Sequence, residues 1–101
     1  MGVFVIVWEF TVNPASVADF ERAYQPEGDW ARLFRRCEGY VATELLRDAE
    51  QPNRFVTLDY WRLPDQYVRG MAAVAVDYQA LDARCAGYTA SERRVGNFIT
   101  S

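Results

Sequence analysis

The sequence predicts a single α+β domain of the ferredoxin-like class, with the element order βαββαβ and one four-stranded antiparallel sheet. Four runs of β-branched and aromatic residues are typical of strands, and two segments with apolar residues at helical spacing separate them in that order. The chain of 101 residues has no internal repeat and no Pro/Gly/Ser-rich linker, so one domain is expected to span residues 1–101. With 50% hydrophobic and 15% aromatic residues, it has ample material for one packed core.

The first predicted strand, Val3 to Val12, is β-branched and aromatic, and both of its alternating faces are largely apolar. Asn13 and Pro14 interrupt it, and Pro14 suits the first turn of a helix that runs to about Gln25. The apolar positions at helical spacing in this segment are Val17, Phe20 and Tyr24.

A second helical piece is predicted to begin at Asp29 and to end at Gly39, a residue type that commonly terminates helices. A strand over 40–47 follows, and the polar loop over 48–53 then leads into the next strand, so these two strands are predicted to form a hairpin. The apolar stripe of the helical piece consists of Trp30, Leu33, Phe34 and Cys37.

The stretch NRFVTLDYWR, residues 53–62, is the most strand-like run and is predicted to be central in the sheet. Both of its faces are largely apolar, so both need a cover, and a chain this short has few helices to supply it. A partner subunit is therefore predicted, in a homodimer that packs two sheets face to face as an α/β barrel. One face carries Phe55, Thr57, Asp59 and Trp61, and the other carries Val56, Leu58 and Tyr60.

The second half of the chain predicts one helical region and a final strand. Leu63-Pro64-Asp65 marks the start of the helix, whose apolar pattern continues to Cys85, with a kink between two halves, and Gly87 ends it. The last strand, over 89–100, is predicted to lie at the sheet edge or to reach a partner.

Charge, cysteine content and hydropathy argue against nucleic-acid-binding, metal-binding and membrane-spanning proteins. A net charge of −3, with arginines diluted by neighbouring acids, argues against nucleic-acid binding. Cys37 and Cys85 are too far apart for a CxxC motif, and the chain has no histidine, so we expect two buried thiols and no metal site. The first apolar run is short and contains Glu9, so we expect no membrane span and a cytoplasmic protein.

Three stretches carry a resemblance to a known family. They are the first strand VFVIVWEF, the Gly39-Tyr40 start of strand two with Thr43-Glu44-Leu45-Leu46, and the run Phe55 to Trp61 with its Asp59-x-Trp61 ending. In these stretches, and over nearly its whole length, the chain resembles the antibiotic biosynthesis monooxygenase family, whose members are small dimeric α+β barrel proteins. The resemblance thus also implies a homodimer.

The best-understood members of that family oxidise polyaromatic phenols to quinones without metal or flavin, so the resemblance implies no cofactor. Their pockets use an Asn, a Trp and a Tyr. Trp61 matches the Trp and Tyr67 matches the Tyr in spacing, whereas Thr57 stands where those members carry Asn. A threonine hydroxyl donates one hydrogen bond and lacks the two-donor geometry of an amide. Haem-degrading members use an axial histidine, which this chain lacks.

The resemblance leads to a hypothesis for the site: a hydrophobic aromatic ligand, with Trp61, Tyr67 and Asp59 as catalytic residues. Asp59 would act as a general base if desolvation raises its pKa. The alternatives are that Trp61 is only a core side chain, and that Asp59 pairs with Arg94 or with an arginine of the other subunit. A non-catalytic ligand-binding module remains open. The predicted substrate-binding residues are Phe55, Thr57, Trp8, Tyr24, Trp30 and Phe34.

Overall fold

The structure, a computed structural model, describes residues 2–101 and contains one antiparallel sheet with the strand order β2-β3-β1-β4. This order confirms the predicted ferredoxin-like arrangement, the hairpin of β2 and β3, and the central position of β3. The last strand lies at the sheet edge, as expected. The strands are β1 (Phe4–Val12), β2 (Tyr40–Arg47), β3 (Arg54–Trp61) and β4 (Thr89–Ile99).

The helices cover one side of the sheet and depart from the predicted bounds at two places. Pro14–Ser16 forms a 3-10 turn before the first α-helix begins, and the second α-helix ends at Phe34, three residues before the end of the stripe that predicted it. Gly39 has a φ of 91°, a left-handed conformation that favours glycine, and turns the chain into β2. The α-helices are α1 (Val17–Tyr24), α2 (Asp29–Phe34), α3 (Pro64–Ala73) and α4 (Ala75–Cys85).

The predicted kink in the second helical region is confirmed at Val74. Its backbone, at φ −108° and ψ 18°, leaves the helical conformation and separates α3 from α4. Gly70 fixes how closely α3 approaches its neighbours, because a Cβ atom at this position would lie 2.9 Å from Cys37 Cβ and 3.4 Å from the Trp61 ring. A larger residue would push the helix outward.

The core lies between the sheet and the helices and is built mainly from aromatic rings. Phe20 and Tyr24 stack at 4.2 Å between ring centroids, and Phe20 also lies 5.1 Å from Phe55. The exposed fraction of Phe20, Phe55 and Trp61 is 1% or less. Of the two cysteines, Cys85 is buried as expected, whereas Cys37 is only partly buried.

The other side of the sheet is open to solvent in the single chain. The register pairs Val7 with Leu58 and Val5 with Phe98, and alternation turns these side chains away from the helices. Leu46 and Phe98 each remain 50% exposed. Helices thus cover one face of the sheet, and the other face keeps exposed apolar side chains in the single chain.

Salt bridges hold the arginines around α2. The arginines of α2 and the residues after it are paired with acids: Arg35 lies 2.6 Å from Glu27, and Arg36 lies 2.7 Å from Asp77. Within residues 2–101, no helix is both long enough and apolar enough to cross a membrane.

Candidate active site

A cavity opens between the helix-covered side of the sheet and helices α1, α2 and α4. About 60 Å³ is available to the centre of a water molecule, and the whole empty volume, including the open mouth, is about 490 Å³. The smaller figure is well below the volume of a typical small-molecule site, so a ligand of more than a few atoms extends into the open mouth. We call it the aromatic cavity, and its lining residues are Trp8, Phe10, Tyr24, Trp30, Phe34, Thr43, Thr57, Asp59, Tyr78, Asp82 and Glu92.

Strand register brings these side chains together. Trp8 on β1 pairs with Thr57 on β3 and with Arg94 on β4, and Phe10 pairs with Glu92 on β4. Residues directly opposite in an antiparallel pair point to the same side, so all of them face the helices. A register shift between Val7 and Trp8 in the β1–β4 pairing contributes to this alignment. Tyr78 and Asp82 follow at i, i+4 on α4, and Asp82 and Glu92 are exposed at the mouth.

Asp59 lies on the cavity wall at the inner end of a chain of hydroxyl groups. Thr43 donates a hydrogen bond to Asp59 Oδ1 at 2.6 Å, and the Tyr40 hydroxyl lies 2.7 Å from Thr43 Oγ1. Burial raises the pKa of Asp59 to about 6, against the opposing effect of the Thr43 hydrogen bond. A carboxyl group with this pKa exchanges its proton close to neutral pH.

The expected pairing of Asp59 with Arg94 does not form. The Arg94 guanidinium instead donates to the Tyr67 hydroxyl at 2.9 Å and lies over the Trp8 ring, 5.5 Å from its centroid. Among the described residues, Asp59 has no salt bridge at all. Arg94 lies on β4, with β1 between it and the strand of Asp59, and it is held by the Tyr67 hydroxyl and the Trp8 ring.

Trp61 and Tyr67 lie next to the aromatic cavity and do not line it. Trp61 is fully buried, with its ring centroid 5.4 Å from that of Tyr67 and 5.8 Å from that of Phe34. Of these three residues only Phe34 lines the cavity, and its ring packs against Trp61. The Trp61 indole N–H has no hydrogen-bond partner among the described residues.

Most of the predicted substrate-binding residues do line the cavity, namely Thr57, Trp8, Tyr24, Trp30 and Phe34. Phe55 does not, because it packs into the core against Phe20. Five lining residues were not predicted from the sequence. Three of them could have been: Phe10 follows Trp8 in the two-residue period of β1, and Tyr78 and Asp82 are spaced i, i+4 on α4. The missed residues are Phe10, Thr43, Tyr78, Asp82 and Glu92.

The tyrosines of the cavity are not bases. Burial raises the pKa of Tyr78 to about 12 and also raises the pKa of Tyr24. Both hydroxyls therefore stay protonated and offer hydrogen bonds. The cavity also contains the carboxyl group of Glu92, whose pKa is raised from its ordinary value by burial and by the nearby Asp82 carboxylate.

The sequence model of the antibiotic biosynthesis monooxygenases matches residues 3–67, which include β1, β2, β3 and the start of α3. This is more than half of the chain. The chain belongs to the antibiotic biosynthesis monooxygenase family. The matched segment contains Asp59, Trp61 and Tyr67, whereas the family match ends before α4 and β4, which supply the cavity mouth.

Solved structures share the fold of this family member over its whole length. A Bordetella bronchiseptica protein that carries the same family assignment is 21% identical, with a TM-score of 0.77 over 100% of this chain and 99% of its own. SnoaB from Streptomyces nogalater, a cofactor-independent oxygenase, is 25% identical, with a TM-score of 0.67 over 100% and 95%. A Nitrosomonas europaea protein of the same assignment is 16% identical, with a TM-score of 0.71 over 100% and 91%. No curated protein matches the sequence significantly.

Proposed function

We propose that this family member is a cofactor-independent monooxygenase that acts on an aromatic or polyketide-like small molecule held in the aromatic cavity. Family membership and the similarity to SnoaB support the reaction class. The observation that carries the proposal is Asp59, a carboxyl group without an arginine partner on the wall of a cavity built mainly from aromatic rings. Such a group can remove a proton from a bound phenol or anthrone.

Binding uses the rings of the cavity. Trp8, Trp30 and Phe34 supply flat apolar surface for an aromatic ligand, and the Thr57 hydroxyl on the same wall can bond to a phenol oxygen. Because the enclosed volume is only about 60 Å³, a ligand with fused rings occupies the open mouth as well. Tyr67, held by Arg94, and Trp61 would act by shaping the wall behind Phe34.

The proposed reaction requires the protein to position the substrate and to accept a proton from it. Asp59 takes a proton from the ring carbon or the phenol, and the resulting anion supplies the electrons that reduce O₂ as a carbon–oxygen bond forms. The peroxide O–O bond then breaks as the carbon that carries it loses its second hydrogen as a proton. The departing oxygen takes up this proton and the one that Asp59 returns, and leaves as water. For an anthrone, one CH₂ group and one O₂ become one C=O group and one water.

We also propose that the protein is a homodimer. The open side of the sheet carries Leu46, Leu58 and Phe98, and a second copy packed on it would remove their apolar surface from water. Light scattering across a micromolar dilution series is expected to give twice the chain mass of 11.6 kDa. A monomer throughout that series would contradict the dimer.

The test of the enzyme is oxygen uptake and quinone formation by metal-free protein with a panel of anthrones and naphthols, run with and without air. We expect oxygen-dependent product, and a loss of about 100-fold or more in kcat/KM on Asp59→Asn. Asp65→Asn removes an exposed carboxylate outside the cavity and serves as the matched control. Thermal melting of each variant checks that it is folded.

A second candidate is a non-catalytic dimeric module that binds an apolar ligand. Two observations favour it: Thr57 replaces the expected Asn, and Trp61 lies outside the cavity lining. Binding of the panel compounds without any quinone above the protein-free rate would support this module and overturn the oxygenase.

A further inference from the structure

We infer that the aromatic cavity selects aromatic ligands that carry a positive charge, such as a protonated amine, over neutral and anionic ligands of the same shape. This inference rests on the proposed ligand-binding role of the cavity and adds the charge class of its ligand. Three carboxyl groups, those of Asp59, Asp82 and Glu92, line the cavity. No arginine lines it within residues 2–101, and the chain has no lysine.

Several other carboxylates of residues 2–101 are held by arginines, whereas the three of the cavity are not. Glu9 is held by Arg54 at 2.5 Å and by Arg93 at 2.8 Å, and Asp48 is held by Arg54 at 2.8 Å. The three cavity carboxylates form no salt bridge in the described part of the chain. The cavity therefore holds negative charge that the protein itself leaves without a counter-charge.

Arg94 lies beside the cavity but is held by other groups. Arg94 lies above the Trp8 ring and bonds to the Tyr67 hydroxyl, and it is not among the lining residues. At the mouth, burial raises the pKa of Glu92, and the nearby Asp82 carboxylate adds to this effect in second place. A positive group bound between these two carboxylates would relieve their mutual repulsion.

The walls favour an organic cation. Trp30 and Tyr78 meet edge to face, 4.8 Å between centroids, and Trp8 lies on the opposite, sheet side of the cavity. Aromatic faces attract ammonium groups through their quadrupoles, and a carboxylate beside them adds to this attraction. A metal ion fits less well, because among the described residues no group of three or more His, Cys, Asp or Glu is placed to hold one.

The Trp30 indole is a further polar group of the cavity wall. Trp30 is 6% exposed, its N–H has no hydrogen-bond partner among the described residues, and the Tyr24 hydroxyl and the Cys85 thiol lie near it. Because a buried donor without an acceptor is costly, a ligand oxygen within its reach would be stabilising.

The test compares three probes with one ring system: 2-naphthylmethylammonium, 2-naphthylmethanol and 2-naphthoate. Calorimetry with the full-length protein at pH 7.5 and low salt is expected to show the ammonium binding about tenfold more tightly than the alcohol, with the naphthoate weakest. In the variant Asp82→Asn/Glu92→Gln the three affinities should converge to within about threefold. Both side chains are exposed, so this variant should fold.

The control variant is Glu38→Gln/Glu50→Gln, which changes the net charge equally through exposed side chains outside the cavity and should keep the preference for the ammonium. If the alcohol binds as tightly as the ammonium, or if the control variant also loses the preference, the charge inference is overturned, and oxygen uptake with neutral phenols still tests the oxygenase by itself. A preference that depends on Asp82 and Glu92, without any oxygen uptake, supports the cation site and overturns the oxygenase.

Discussion

Two aromatic regions lie side by side in this protein and differ in how closely their side chains are packed. The Trp61–Tyr67 cluster contains the Trp and the Tyr that the family resemblance predicts for the site, and it is closely packed, with Trp61 fully buried and Tyr67 partly buried. The aromatic cavity around Asp59 contains the empty space and the unpaired carboxylates. A sequence signature therefore identifies the strand that builds the site, and packing decides which of its side chains meet a ligand. The predictions below distinguish the roles of the two regions.

The largest expected effect is on stability, in the packed region. Trp61→Ala should lower the free energy of unfolding by about 3–5 kcal/mol, because it removes a fully buried indole and leaves a cavity. Urea unfolding measures this loss. Trp61→Phe should remain folded and keep kcat/KM within about tenfold of wild type, since Trp61 does not line the aromatic cavity. A far larger loss in the folded Phe variant would place the chemistry in the packed region.

The second effect concerns the cavity carboxyl group. The pKa of Asp59 is about 6 in the folded protein and 3.8 in its ordinary state, so the folded state binds more protons between these values. Stability should therefore fall as the pH rises through this window. Asp59→Asn should remove that dependence and raise the unfolding free energy at pH 8 by about 1–3 kcal/mol. Urea unfolding at pH 4 and pH 8 compares the two proteins, and an unchanged slope would contradict the raised pKa.

The third effect is a shift in the pH dependence of kcat/KM. Thr43→Val removes the hydrogen bond that opposes the burial effect at Asp59, so the pKa of Asp59 should rise further. The rising limb of the kcat/KM profile against pH should move upward by about one unit. Thr11→Val, on the exposed side of β1, is the control. A profile that does not move would show that Asp59 is not the base.

The smallest effect is expected at the edge of the packed region. Tyr67→Phe removes the acceptor of the Arg94 hydrogen bond but keeps the ring against Trp61. Because Arg94 is exposed, the unfolding free energy should change by only about 0.5–1 kcal/mol. Steady-state kinetics should show a change of less than about tenfold in kcat/KM. A loss as large as that of Asp59→Asn would move Tyr67 from a positioning role into the catalytic machinery.

Much of the fold could be predicted because its determinants are local. The two-residue period of residues 53–62, the positive φ that Gly39 supplies, and the interruption of the second helical region each follow from short segments. The position of β3 at the centre followed from its two apolar faces.

The site could be predicted only in part, because its contacts depend on register and packing. Thr43 reaches Asp59 because the β2–β3 pairing, after an irregularity between Tyr40 and Ala42, places the two residues opposite each other. No pattern within either strand contains that information. Likewise, Glu92 reaches the cavity through its pairing with Phe10, and the helices determine where space remains.

The break at Val74 lets one helical region pack against two different parts of the sheet. Before the break, Gly70 brings α3 close to Cys37 and Trp61. After it, α4 carries Tyr78 and Asp82 to the aromatic cavity. A continuous helix would keep one axis across both parts of the core. The change of direction at Val74, which is itself 5% exposed, thus allows a short chain to build a packed wall and a lined cavity from a single helical segment.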